Sequence, residues 1–389
     1  MATRPVEVSY KNGFAVALYD QLRRAHGNLC FSPFSIRTAL GMTYAGARSE
    51  TAAEMGRTLD LPPSDEALHA LVQTMRQRLE ARGDSCEMTI ANALWSQEDA
   101  PLQTEFASLV SRHYGAPVNL VDFRRDPEAA RAAINRWVAE ATREKISELI
   151  PQGRLGQDSR LVLANAVFFK GAWAEPFKEW LTQDAPFHLA GGGTVDARLM
   201  FQQKRVGYFE GDGLQAVALP YHGGELAMLL VLPERKDGLG DLEKQLTAET
   251  IDRWVHRMRS ETVKLHVPRF TFSWGTADVK DALAAMGMAS AFDRRRADFS
   301  GINGRQPPDD EALFISSVFH RAFIEVNEEG TEAAAATAVE MVRTLSMPSV
   351  RPPATPVFRA DHPFLFAIRH DASGAILFMG RVSNPTQER

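Results

Sequence analysis

Ten histidines and many Ser and Asp residues would in principle allow a Ser/His/Asp hydrolase, which needs a nucleophile, a base and an orienting carboxylate brought together. The local motifs that organise such chemistry are missing: the chain has no G-x-S-x-G elbow, no H-E-x-x-H pair and no Walker loop. Gly191-Gly192-Gly193 precedes neither a helix signature nor a Lys-Ser/Thr pair, so a hairpin or loop suits it better than a phosphate cradle. Cys30 and Cys86 are too few for a disulfide framework and lack metal-ligand spacing, so they read as buried or incidental thiols. His320, between an apolar strand and Arg321, has the side chain of a general base, but a core histidine bonded to backbone or hydroxyl groups fits its setting better. No catalytic residue, metal site or cofactor is expected.

The chemistry that remains is conformational, and it lies in EEGTEAAAATA, Glu328 to Ala338. Gly330 supplies backbone freedom at a pivot. Thr331, Ala333, Ala335 and Thr337 form one alternating set of small side chains that can enter a packed sheet without overpacking it, with Glu332, Ala334, Ala336 and Ala338 on the opposite face. Taken alone, the four alanines favour a short helix N-capped by Thr331, or a linker.

Elements that could hold such a segment are legible ahead of it. Ile134, Trp137, Val138 and Ala141 recur at helical spacing while Arg136, Glu140 and Arg143 fall on the other face, which predicts an amphipathic helix. Val263, Leu265 and Val267 alternate with Lys264 and His266 as in a half-exposed strand, and Met228 to Leu232 is a continuous apolar run ending at Pro233. Asp278 to Met288 returns to helical spacing, and Leu313 to Val318 reads as a strand leading into His320. No linker or low-complexity segment divides the 389 residues, so one domain over 1–389 is expected.

Several segments, in this order, resemble the serpin family of serine protease inhibitors. They are Asn28 with Phe31-Ser32-Pro33-Phe34-Ser35-Ile36, then Ile134-Asn135-Arg136-Trp137-Val138, Asn165 to Trp173, Leu219-Pro220-Tyr221, Val267-Pro268-Arg269-Phe270, His320, the 328–338 stretch, Asp361-His362-Pro363-Phe364, and Leu377 to Val382. The resemblance implies a mixed α and β fold of three β-sheets and about eight or nine helices with an exposed reactive-centre loop, about 328–359. Asn28, Ser32, Pro33, Ser35, Asn165, Trp173 and His320 would then belong to the shutter and breach of the main sheet, and Glu328, Glu329, Gly330, Thr331, Glu332, Ala333, Ala334, Ala335, Ala336 and Thr337 to the loop's hinge.

The resemblance also implies a mechanism. A serine protease takes the loop as substrate and forms an acyl-enzyme, and the cut loop then inserts into the sheet and drags the enzyme with it. Fifteen inserted residues would span on the order of 50 Å. In the family the attacked residue is the seventeenth when the hinge glutamate, Glu328, is counted as the first, which points to Thr344 and the bond Thr344-Leu345, with Arg343-Thr344 as the alternative. Threonine suits an elastase-like or subtilisin-like protease, and arginine a trypsin-like one. Pro348, Pro352, Pro353 and Pro356 keep the segment after the bond extended, and its length loosens that count. A serpin-like binding or chaperone protein without insertion is the other reading; a bulky or charged residue at Thr331, Ala333 or Ala335 would favour it, and none is present.

A formal charge of -5 gives no electrostatic reason to bind nucleic acid, and no apolar stretch of about eighteen residues is present to span a bilayer. Arg76, Arg78 and Arg82 are interspersed with Glu66 and Glu80, which does not make the dense basic face of a polyanion site. A monomer is expected. Met1-Ala2-Thr3-Arg4 carries no secretory signal, which fits the cytoplasm if Met1 is the native start, or the exterior if a leader was removed.

Overall fold

The computed structural model describes residues 11–61, 73, 86–100, 102–331 and 354–387. Fifteen strands among these residues pair into two hydrogen-bonded networks. In chain order they are β1 (Leu29–Phe31), β2 (Cys86–Gln97), β3 (Val118–Val121), β4 (Leu161–Ala172), β5 (Gln183–His188), β6 (Thr194–Gly211), β7 (Leu214–Pro220) and β8 (Leu226–Pro233). There follow β9 (Arg259–Pro268), β10 (Phe270–Asp278), β11 (Ile315–Val326), β12 (Gly330–Thr331), β13 (Val357–Arg359), β14 (Phe364–His370) and β15 (Ile376–Val382).

The smaller sheet has the order β10-β11-β12-β4-β2-β3, and the larger runs β1-β15-β14-β8-β7-β6-β9-β13 with β5 also on β6. Of the three sheets expected, two are continuous through β6, which pairs with β9 as far as Tyr208 and with β7 from Gly207 onward. The Gly191-Gly192-Gly193 run is the β5–β6 connection: Gly192 and Gly193 have φ of 88° and 83°, a left-handed backbone that glycine adopts without a Cβ penalty.

β4 is buried along nearly its whole length because both faces are covered, which accounts for its unbroken apolar reading. One face packs on a core that includes Val167, Phe169, Tyr221, Phe364 and Phe378. The other carries Val162, Ala164 and Ala166, packed with Phe123, Ala130, Ile134 and Val138. Ala130, Ile134 and Val138 come from the helix Pro127–Ala141, which starts where Pro127 needs no N–H partner and the Asp126 carboxylate accepts from Ala129 N–H at 2.8 Å. Trp137 meets Trp95 edge-on at 6.1 Å. After the helix the chain folds back, and Asn135 holds it by accepting from the N–H groups of Leu149 (3.0 Å) and Ile150 (2.8 Å).

The helix expected from Asp278 begins later, at Lys280, because Asp278 is the last residue of β10. Its carboxylate accepts from both Lys280 N–H (3.1 Å) and Val318 N–H (3.0 Å), tying the strand end to β11. No helix among the described residues is long and apolar enough to cross a membrane.

Candidate functional site

β4 and β11 lie side by side and parallel, with Val162 opposite Ser317, Asn165 opposite His320 and Phe168 opposite Phe323. Beyond that rung the two strands no longer pair with each other, and β12 stands between them. Gly330 and Thr331 pair antiparallel with Ala172 and Gly171 of β4, and Thr331 pairs antiparallel with Val326 of β11. The main sheet is therefore a closed seam along most of its length and a seam already entered at one end.

Glycine is required at position 330 by close approach. A Cβ there would stand 2.0 Å from the Gly171 carbonyl oxygen and 2.7 Å from Ala172 Cα. Asn327 shapes the turn before it, its Oδ1 accepting from Glu329 N–H (3.1 Å) and Gly330 N–H (3.2 Å). Trp173 closes the turn from β4, donating its indole N–H to Asn327 O (3.0 Å) and its backbone N–H to Glu329 O (2.9 Å). The Trp173 ring stacks on Tyr221 with centroids 4.7 Å apart, and the Tyr221 hydroxyl bonds Thr331 Oγ1 at 2.8 Å. Thr331 thus points into the protein and is fully buried. Its hydroxyl has a partner there, as burial of a polar group demands.

Glu328 is held just as tightly. Its carboxylate lies 2.5 Å from Arg269 Nε and accepts the Thr182 hydroxyl, while its carbonyl accepts Phe177 N–H at 2.7 Å. Arg269 also reaches Glu179 at 3.4 Å.

Further down the seam is a second polar cluster. Ser32 caps the helix Pro33–Tyr44, accepting from Ser35 N–H (3.1 Å), and its own hydroxyl donates to Leu377 O (2.6 Å). His320 Nε2 accepts Ser32 N–H at 3.2 Å, which leaves Nδ1 as the protonated nitrogen, donating to Asn165 Oδ1. Asn165 Nδ2 donates to Ser35 Oγ at 2.5 Å and to Asn92 Oδ1. Burial alone pushes the His320 imidazole down to about 3, so it is neutral at physiological pH. Every ring nitrogen is committed to the fold, and the cluster has no group free to act as a base.

Sequence reasoning placed Ser32, Pro33, Ser35, Asn165 and His320 together, and the structure brings them together with Pro33 at the first turn of its helix. Asn28 does not join them. Its amide donates to Asn384 O (2.7 Å), and its Oδ1 accepts from Ser383 and Asn384 N–H, so it clamps the end of the chain. It lies one residue before β1 and faces the segment after β15. Asn92, Tyr221, Arg269, Thr182 and Asn327 were not singled out as site residues, although Tyr221 and Arg269 lay within the family-like segments; nothing local marks the first four, whose contacts span 59 to 146 residues, whereas Asn327 three residues before Gly330 is a local turn signal.

Cys30 is buried and free, its thiol pushed up by burial. The side chain of Cys86 lies outside the described residues, as do Glu332, Ala333, Ala334, Ala335, Ala336, Thr337, Arg343, Thr344, Leu345 and the 62–72 and 74–85 segments with Arg76, Arg78 and Arg82.

The family model described as Serpin (serine protease inhibitor) matches residues 9–385. Leukocyte elastase inhibitor A of Rattus norvegicus is 38% identical over 382 residues, covering 96% of this chain and 97% of the relative. An uncharacterized serpin-like protein of Thermococcus kodakarensis is 41% identical, covering 98% of this chain and 86% of the relative. Among solved structures, an Arabidopsis serpin in its native stressed conformation superposes with a TM-score of 0.84 at 30% identity, covering 97% of each chain.

Proposed function

This chain belongs to the serpin family and is a protease inhibitor, not an enzyme in its own right, and we propose that it traps serine proteases as a suicide substrate. The observation that carries the reading is the entry of Gly330 and Thr331 between β4 and β11, with Thr331 buried against Tyr221. Strand addition has begun, and the ladder has a defined register.

Continuing that ladder fixes where each later residue would go. Antiparallel to β4, residue 332 faces 170 and every further step descends one residue, so 334 reaches Phe168, 335 reaches Val167 and 337 reaches Asn165. Antiparallel to β11, the same residues reach Phe323, Ala322 and His320. These are the residues that oppose one another across the closed seam now. One inserted strand therefore fits by replacing each direct β4–β11 rung with two new ones, satisfying every backbone group it frees. By strand alternation Ala333, Ala335 and Thr337 follow Thr331 to the inner face, where small side chains enter without overpacking. Thr337 would bring a hydroxyl to the Asn165–His320 rung.

Before cleavage the segment between Thr331 and Ala354 is joined to the body at both ends. Cutting at Thr344-Leu345, or at Arg343-Thr344, releases the first half. The acylated protease then moves with its attacked residue, and distortion of its oxyanion hole stops deacylation, since that step depends on fixed donor geometry. The likeness to elastase inhibitors and the small Thr344 side chain favour an elastase-like target over a trypsin-like one.

The deciding experiment mixes the protein with leukocyte elastase, a subtilisin and trypsin in separate reactions, followed by denaturing gels and intact mass. A covalent adduct with a released fragment beginning at Leu345 is the expected result. Quantitative cleavage without adduct and without a rise in Tm would overturn the proposal and favour the binding or chaperone reading.

A further inference from the structure

Trp180 is 76% exposed, whereas Trp95, Trp173 and Trp254 are buried and Trp137 and Trp274 are half-buried. Single exposed apolar residues are ordinary on a protein surface. This one differs in how it is held. It sits in the middle of the 3-10 turn Glu179–Leu181, and both flanks of that turn are anchored on the root of the loop. Phe177 donates its N–H to Glu328 O at 2.7 Å, Thr182 donates its hydroxyl to the Glu328 carboxylate, and Glu179 pairs with Arg269, which pairs with Glu328. The Lys178 ammonium lies over the indole at 5.5 Å, which orders the ring from one side and leaves its remaining surface to solvent.

We infer that Trp180 is a docking contact for the target protease, outside the loop itself; this rests on the inhibitory reading above. The occupant follows from where the chain leaves the body. The loop departs at Thr331, two residues beyond the carbonyl of Glu329 that Trp173 holds, and returns at Ala354, just before Pro356 O accepts Lys264 N–H at 2.9 Å. An enzyme gripping a bond inside those twenty-two residues is tethered to the body at both of these points. The Glu179–Leu181 turn is fixed to that same root. A pre-ordered, solvent-facing indole has the side chain most often found to dominate protein interfaces, and little rotamer entropy remains to be lost when it is covered. The complementary surface on the enzyme is an apolar patch bordering its active-site cleft.

The test measures the second-order rate of leukocyte elastase inhibition by the wild type, Trp180→Ala and Trp180→Phe, with stoichiometry and Tm recorded for each. Binding of each protein to elastase whose catalytic serine is replaced by alanine is measured in parallel. Trp180→Ala should be about tenfold slower and bind the inactive enzyme about tenfold more weakly, with unchanged stoichiometry and Tm, and Trp180→Phe should recover most of the loss. An unchanged rate and affinity for Trp180→Ala, with adduct still formed, would overturn this contact and leave the inhibitory reading intact. Absence of any adduct from the wild type would overturn both.

Discussion

His320 and Asn165 are partners twice over, opposite each other in the parallel register of β11 and β4 and joined by a hydrogen bond from Nδ1–H to Oδ1. The bond crosses the seam that a new strand would have to open. It requires a neutral imidazole, because Nε2 is occupied in accepting Ser32 N–H. With the imidazole lowered to about 3 in the fold and near 6.5 when unfolded, the unfolded chain binds more protons between those values. The stability that neutral His320 contributes is therefore complete above pH 6.5 and falls as the pH drops toward 3. Chemical denaturation at pH 7.5 and pH 5 should differ by about 2 kcal/mol from this group. In His320→Asn that difference should shrink; an unchanged slope would assign the pH dependence elsewhere.

The Glu328–Arg269 pair predicts a second behaviour. The Glu328 side chain is 6% exposed, and its carboxylate has Arg269 and the Thr182 hydroxyl as partners. Replacing it removes the buried anion and leaves a partly buried guanidinium short of a partner. Glu328→Gln should lower native stability by about 1 kcal/mol and Glu328→Lys by about 3, read as the urea midpoint at constant m-value. Arg269→Glu in the Glu328→Lys background should restore part of the loss if the pair itself is responsible.

Lys204 carries a cost that the native fold bears at neutral pH. Its ammonium is buried beside the Phe177 ring at 5.3 Å and, among the described residues, donates to Glu175 O at 3.2 Å, and burial lowers it to about 8. The unfolded chain binds the extra proton between 8 and about 10.5, so stability rises as pH climbs through that window and is lost as pH falls through 8. Lys204→Met should raise native stability at pH 7 by on the order of 3 kcal/mol and flatten the alkaline rise. A variant less stable than the wild type would mean that the Glu175 contact outweighs the burial.

Much of the scaffold was legible because periodicity reports burial directly. The alternation at Val263, Leu265 and Val267 became β9, and Ile134 and Val138 became the buried stripe of the helix over β4. Boundaries were less legible where a side chain far away decides them, as when Asp278 reaches Val318 and ends as strand rather than helix. The seam itself could not be derived from pattern: Asn165 and His320 stand 155 residues apart, and only the resemblance brought them together. Nor could pattern show that the Asn28 amide is held by the backbone of residues 383–384, at the far end of the sequence.

The insertion mechanism makes its sharpest demand at Thr331 and at the position four residues on. Thr331 is fully buried with its hydroxyl on Tyr221, so Thr331→Arg would drive a guanidinium into a pocket sized for a methyl and a hydroxyl, with no carboxylate partner among its contacts. Ala335→Pro acts differently. On the proposed register it would stand between Val167 and Ala322, which pair with each other now, and a proline there would remove a ladder N–H and could not pair as a central strand does. Neither change alters Thr344 or Leu345, so protease recognition and the first chemical step should survive. The expected outcome for both is turnover: complete loop cleavage, release of active protease, and loss of the covalent adduct on denaturing gels. Cleaved wild type should also gain Tm relative to its uncleaved form, and the two variants should gain much less. Trapping by either variant at the wild-type stoichiometry would mean that the protease is held without the strand entering the seam.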